Sequence, residues 1–307
     1  VVAIVLDNGS ARADFTFGEP VNLGPTLNTD SSDTSPTLSA DGLDLYFTAN
    51  NRPGGFGYTD IWVSTRTTPD DAWGQPQNLG PLVNSSVYEG TPCLSGDGLS
   101  LYFGSTRSGG HGNCDLWVTR RATRSDAWGV AENLGAPVNT SFDECYLTIS
   151  SDGLELYFSE AEPIRPGGQG GSDLWMTKRS SLSHTWEPPV NLGSTVNSYS
   201  HDARPSISAD GLILLFTSER DSGYGRRDIW FTRRPTIGDP WGMPVNLGPS
   251  INTSEHDGSA SLSPDGTMLY FSSMRPGRYG GFDLWQSPLL PVVDFTGDFR
   301  VDIEDLS

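Results

Sequence analysis

Short alternating runs of apolar residues, each bounded by Gly, Asp or Asn, return at a fixed interval along this chain. The first is Leu43-Asp44-Leu45-Tyr46-Phe47-Thr48, and it belongs to a longer phrase. An acidic residue opens a strand, S-x-D-G turns it, and a run of the type L-x-L-Y-F follows. A Gly-rich loop holding an Arg comes next, then D-[IL]-W, then W-G-x-P-x-N-L-G-x-x-x-N. The D-G aspartates are Asp41, Asp97, Asp152, Asp210 and Asp265; those of D-[IL]-W are Asp60, Asp115, Asp173, Asp228 and Asp283; both series are spaced by 55 to 58 residues. A supersecondary unit repeated at that period cannot bury its own faces and stacks on copies of itself.

In the first unit, strands are expected near Thr34–Ser39, Leu43–Thr48, Asp60–Thr65 and Pro76–Gly80, with Ala40-Asp41-Gly42 as a hairpin turn. The alternation in the second of these suits a strand buried on both sides. Four antiparallel strands per unit, repeated radially, make a β-propeller. The ends favour a closed ring over a solenoid. Phe17–Gly24 spells the outer-strand phrase with no unit before it, and the final unit stops after Asp283-Leu284-Trp285 without that phrase. The N-terminal strand is therefore expected to complete the last blade, removing the ends a solenoid would have to cap. The expected fold is all-β, a five-bladed β-propeller over residues 17–290, with an N-terminal extension over 1–16 and a tail over 291–307.

S-x-D-G-x-x-L-Y-F followed by D-[IL]-W resembles the TolB-type, WD-like propeller repeats of bacterial envelope and secreted proteins, over residues 17 to about 289. The resemblance implies a fold and leaves function open, because propellers serve as binders, scaffolds and enzymes alike.

Charge narrows the partners. The 19 basic residues against 38 acidic ones give a formal charge of −19, which repels phosphate backbones and argues against nucleic-acid binding. No run approaches the roughly 18 apolar residues of a membrane span. Cys93, Cys114 and Cys145 lie outside the repeat; one bridge plus a free thiol, or three small buried residues, both fit an odd count.

Five residues after the loop asparagines Asn28, Asn84, Asn139, Asn197 and Asn252 stand Asp33, Glu89, Glu144, Asp202 and Asp257. Each opens the innermost strand of a blade at one end of the central channel. Such a ring could bind a cation, cradle polyol hydroxyls or supply an acid and a base. The competing reading is structural: the Arg ending the next strand (Arg52, Arg107, Arg165, Arg220 or Arg275) would pair with each carboxylate. The D-[IL]-W aspartates read as acceptors for backbone N–H groups of the Gly loops. Function is expected where repeats differ: Tyr88, Asp143, Tyr146, His201, Arg204, Glu255 and His256 around the mouth, and Glu160, Glu162 and Arg165 in the long loop Ser159–Ser172. Aromatics, acids and an Arg around a rim suit sugars. No Ser-His-Asp order, H-E-x-x-H or Cys/His metal spacing is present.

In the tail, Asp294, Thr296, Asp298, Arg300 (by its carbonyl), Asp302 and Asp305 match the ligand spacing of a 12-residue calcium loop and resemble the first half of a dockerin. Phe299 stands where that loop usually has Gly, and Thr296 replaces the usual Asn. The resemblance implies Ca2+ and an extracellular setting. Val1–Leu6 is uncharged and β-prone, suited either to a signal remnant ahead of Ser10-Ala11-Arg12-Ala13 or to a donor strand for another copy. The expectation is a secreted or cell-surface non-catalytic propeller that binds an extracellular glycan or other copies of itself. The alternatives are a glycan-active hydrolase or lyase and a periplasmic protein-binding scaffold.

Overall fold

The structure is a computed structural model that describes residues 15–161 and 165–291. Strands numbered in chain order build five sheets. After β1 (Phe15–Phe17) and β2 (Val21–Asn22), blade 1 consists of β3 (Asp33–Leu38), β4 (Asp44–Asn50), β5 (Thr59–Thr65) and β6 (Gln77–Asn78). Blade 2 is β7 (Glu89–Leu94), β8 (Ser100–Ser105), β9 (Asp115–Arg120) and β10 (Glu132–Asn133); blade 3 is β11 (Asp143–Ile149), β12 (Glu155–Ala161), β13 (Leu174–Lys178) and β14 (Val190–Asn191). Blade 4 is β15 (Asp202–Ile207), β16 (Ile213–Ser218), β17 (Asp228–Arg233) and β18 (Val245–Asn246); blade 5 is β19 (Asp257–Leu262), β20 (Met268–Ser273) and β21 (Asp283–Pro291), joined by β1 and β2. The innermost strands β3, β7, β11, β15 and β19 touch in that cyclic order, and β19 returns to β3. The fold is the expected five-bladed propeller, with no helix among the described residues.

Each blade–blade interface holds one hydrophobic cluster. Between blades 5 and 1 lie Leu27, Leu45, Phe47, Trp62, Tyr270 and Leu284; between blades 1 and 2 lie Tyr46, Ile61, Val83, Leu101, Phe103 and Trp117. In β4 the Leu45 and Phe47 side chains serve one neighbour and Tyr46 the other, which is why the repeat has no polar face on this strand. The S-x-D-G phrase is a self-contained turn. In blade 1, Ser39 Oγ donates to Asp41 Oδ1, Leu43 N–H donates to the same oxygen, and Gly42 takes the positive φ of 70° that L side chains rarely adopt.

The ring closes as the sequence phrase predicts, with Val21 opposite Gln286 and Asn22 opposite Trp285. A second latch has no counterpart in the repeat: β21 runs on to Pro291 and pairs with Phe15–Phe17. The outer strands are only two residues long, shorter than the expected Pro76–Gly80, because Asn78 and its equivalents turn away. The Asn78 Oδ1 accepts the N–H of Gly80 and a proton from Asn84 Nδ2. The other half of Asn84 caps the preceding strand, accepting the Ile61 N–H and donating to the Ile61 carbonyl.

At the closure the same device joins residues 256 apart: Leu284 N–H donates to Asn28 Oδ1 at 2.7 Å and Asn28 Nδ2 donates to the Leu284 carbonyl at 3.0 Å. Asn28→Ala leaves the buried Leu284 N–H without a partner, at about 1–3 kcal/mol, while the Leu284 carbonyl keeps the N–H of Leu23. A loss of roughly 1–3 kcal/mol in chemical denaturation is expected, with the ring opening at blade 5 first by hydrogen exchange.

Candidate functional site

Four of the five innermost strands begin with their ring carboxylate and β11 carries Glu144 at its second position, all at the same end of the channel, and every one of these five side chains is fully buried. In blade 2, Glu89 accepts the Ser85 N–H at 2.6 Å, the Ser85 hydroxyl at 2.6 Å and the Ser105 hydroxyl at 2.8 Å. Arg107 completes the set at 3.1 Å. The pairs Arg52–Asp33 (3.4 Å), Arg165–Glu144 (2.7 Å), Arg220–Asp202 (2.5 Å) and Arg275–Asp257 (3.0 Å) repeat the arrangement in the other blades. Each Arg also donates to a loop carbonyl, of Leu27, Val83, Val138, Val196 or Ile251, and lies over the Phe and Trp of its own blade. The ring carboxylates are thus occupied by structural bonds. In blade 1, Ala49 stands where Ser105 and Ser273 donate to their carboxylates, and burial lifts the Asp33 carboxyl to about 6 against the pull of Thr29 and Arg52.

The D-[IL]-W aspartates hold the Gly loops as expected: Asp60 accepts the N–H groups of Phe56 and Gly57, and Asp228 those of Tyr224 and Gly225. A side chain on Gly55 would collide with Asp60, its Cβ coming within 2.3 Å of the carboxylate, so these loops require glycine.

Two residues past each ring carboxylate, Ser35, Thr91, Tyr146, Arg204 and Ser259 line the channel. Each sits at a bulge in its strand, and all but Tyr146 have a positive φ, between 48° and 57°. Their N–H groups cross to a hydroxyl of the preceding blade: Ser35 to Ser272, Thr91 to Thr48, Arg204 to Ser159 and Ser259 to Thr217. Blade 3 cannot use this bond, because blade 2 offers Gly104 there, and a Cβ on Gly104 would lie 2.1 Å from the Cys145 carbonyl. A Cys114–Cys145 disulfide joins those two blades instead, and Cys93 is a buried free thiol.

The variable positions divide into two groups. Tyr88, Tyr146 and Arg204 converge in the channel, where the Arg204 guanidinium lies 4.3 Å from the Tyr146 ring centre and burial, then Tyr146, drive the Tyr88 phenol upward in pKa. His201 and Asp143 face neighbouring loops: His201 Nδ1 accepts the Ser172 N–H, and Asp143 accepts the N–H and side-chain amide of Asn113. His256 bridges to Arg227 and sets its ring 6.2 Å from Phe282, and the exposed Glu255 lies beside it. The space between these groups is small, about 40 Å³ for water-sized spheres in the channel and about 30 Å³ beside Phe282 at the mouth. That is room for a few waters and not for a sugar ring.

One feature escapes the repeat analysis. Phe56, Tyr58, Tyr224 and Tyr279 sit in the Gly loops, with Tyr199 on the loop entering blade 4, and Tyr58 and Tyr199 are 64% and 90% exposed. All are at the same end as the ring carboxylates. Phe56, Tyr224 and Tyr279 share one repeat position, just before the Gly of the loop, which is the signal that could have found them. Glu160, expected in the long loop Ser159–Ser172, belongs instead to the strand before it. It stands opposite Glu144 in β12, in the place taken by Ala49, Ser105, Ser218 and Ser273 elsewhere. One step beyond the Ser159–Leu174 pair it also faces Asp173, so three carboxylates cross blade 3 side by side. Glu160 is 1% exposed with neither oxygen bonded, and Asp173 Oδ1 is likewise without a partner.

Glu162 and the tail residues Asp294, Thr296, Asp298, Arg300, Asp302 and Asp305 lie outside the described residues, as does Val1–Leu6. Among the described residues no group of three or more His, Cys, Asp and Glu is placed to hold a metal ion.

No family model matches the chain, and no curated protein matches it. Solved structures do. TolB from Acinetobacter baumannii aligns with a TM-score of 0.50 and 15% identity over 84% of this chain and 54% of that one, so the chain spans about half its length. The α-L-arabinofuranosidase from Lactobacillus brevis aligns at 0.57 and 15% identity, covering 86% and 92% of the two chains. The α-L-arabinofuranosidase PaAbf62A from Podospora anserina, in complex with cellotriose, aligns at 0.55 and 12% identity over 90% and 96%. The shared feature is the propeller fold.

Burial raises the Glu160 carboxyl from 4.5 to about 7, Asp173 adds to the rise, and Arg165 opposes it. A folded-state pKa above the unfolded one means the folded protein holds the extra proton. Stability is therefore undiminished below about pH 4.5 and falls as pH climbs through 7, by roughly 3 kcal/mol once Glu160 is ionised. Glu160→Ser, which installs the residue of blades 2, 4 and 5, should raise the melting temperature at pH 8 and change it little at pH 5. Equal shifts at both pH values would count against this account.

Proposed function

We propose that this chain is an exported, non-catalytic propeller that binds an extracellular glycan on its loop face. The observation that carries the reading is the exposed aromatic set Phe56, Tyr58, Tyr199, Tyr224 and Tyr279 around the channel mouth. Sugar rings present flat C–H faces that stack on aromatic side chains, while hydroxyls bond to polar groups between them. Loops pinned by Asp60, Asp228 and Asp283 hold such a platform still. The disulfide supports an oxidising compartment, extracellular, cell-surface or periplasmic.

A hydrolase is the alternative, and the arabinofuranosidase neighbours favour it. It would need an acid and a base open to substrate. The ring carboxylates are closed off and engaged in all five blades, which speaks for the binding reading. Self-association through Val1–Leu6 rests on sequence alone, as does calcium at Asp294–Asp305. Calorimetric titration of Ca2+ into the full chain and into Asp298→Ala tests the latter: heat in the first and none in the second is expected.

The binding reading is tested by affinity electrophoresis through immobilised polysaccharides, with released sugar assayed in the same samples. Retardation without product is expected, and Tyr58→Ala with Tyr224→Ala should reduce it by about tenfold at unchanged stability. Glu89→Gln and Glu144→Gln should lower stability by roughly 2–4 kcal/mol, through the buried Arg left unpaired. Sugar release that a folded Glu144→Gln protein no longer performs would establish the hydrolase instead.

A further inference from the structure

The ring arginines each meet a carboxylate, but the guanidinium on the channel axis does not. Arg204 donates through Nη1 to Ser259 Oγ at 3.1 Å and lies over the Tyr146 ring, and it has no acidic partner among the described residues. It is half-buried, and with Ser259 it lines both the channel cavity and the smaller one at the mouth. The other side chains at its level, Ser35, Thr91 and Ser259, are hydroxyls. Arg227 lines the mouth cavity as well, paired with Glu219 at 2.6 Å, as does the buried Asp257, which Arg275 engages; Arg226 is the neighbour of Arg227 in the chain. The His256 imidazole responds to this local field: burial, then Arg227 and Arg226, hold its pKa below the usual value, although the whole chain is strongly acidic. Thr91 spends its hydroxyl proton on the Gly90 and Cys145 carbonyls, whereas a guanidinium backed by an aromatic face, with the Ser35 and Ser259 hydroxyls beside it and no counter-charge, suits a carboxylate.

We propose that Arg204 anchors the carboxylate of an acidic sugar, so that the glycan is one presenting a single uronate at the channel mouth. This inference rests on the glycan-binding reading above. The cavities take a carboxylate in place of a few waters while the sugar ring stays outside on the aromatic platform. The net charge of −19 sets the other bound, since each further carboxylate on the ligand meets repulsion and a densely charged polymer is disfavoured. Position and charge together select a chain end carrying one acid.

The test compares trisaccharides of glucose and of galactose with counterparts whose terminal residue is the uronic acid, titrated calorimetrically into the full chain. A charge-assisted bond to carboxylate predicts at least about tenfold tighter binding of the uronate form. Arg204→Ser, which installs the residue found in blades 1 and 5, should abolish that preference, and Arg204→Lys should keep part of it. Melting curves for both variants establish that the ring is intact. Equal affinity for neutral and acidic forms, or a preference that survives in Arg204→Ser, overturns the anchor and leaves glycan binding standing. Binding of neither form overturns both.

Discussion

One bonded unit, repeated five times, holds this ring together: a buried carboxylate at the start of the innermost strand and an Arg sandwiched against it. The Arg reaches three things at once. It neutralises the carboxylate, caps a carbonyl in the loop leading into its own blade, and covers the Phe and Trp that pack against the adjacent blade. A buried ion pair by itself adds little stability, because desolvation offsets attraction. Here the carboxylate also takes a backbone N–H and a hydroxyl, so its acceptor capacity is largely used within the blade. The pair therefore fixes geometry, setting where the innermost strand begins and how the Gly loop departs.

That constraint explains what the sequence made legible. The acid, the Arg and the D-[IL]-W aspartate recur because each blade needs all three, and their recurrence gave blade number, ring closure and the pairing of Asp33 with Arg52. Less legible were features that depend on one blade meeting the next. The bulge that puts Ser35, Thr91, Arg204 and Ser259 into positive φ is not visible in those residue types, none of which is glycine. It is held by a hydroxyl on the preceding blade, so its signal is split between positions about 40 to 45 residues apart in three of the four cases. The fourth crosses the ring closure, 237 residues apart. Gly104, Cys114 and Cys145 form one substitution for that bond, yet in sequence they read as three unrelated departures.

The candidate site shows the same division. Tyr146 and Arg204 were identifiable as variable rim positions and do meet in the channel. His201 and Asp143 were equally variable, but their polar atoms are turned to neighbouring loops. Variation among repeats marks where a blade is free to differ; it does not say whether the difference faces solvent or a neighbour. Phe56, Tyr224 and Tyr279 were overlooked for the opposite reason, since an aromatic inside a repeated loop looks like part of the repeat until its exposure is known.

Symmetry also decides where chemistry can reside in a ring of this kind. A group present in every blade is committed five times to holding the ring, so altering it for a ligand would disturb the fold at each copy. A single departure is tolerated because four intact blades still close the circle. Blade 3 with its three facing carboxylates and blade 4 with its unpaired channel Arg are such departures, and they lie side by side at one end of the channel. The acidic departure is sealed inside its blade, whereas the basic one opens toward the mouth cavity. Access, rather than charge alone, separates a residue that tunes stability from one that can meet a ligand, and on that ground the channel axis is where this propeller can recognise something.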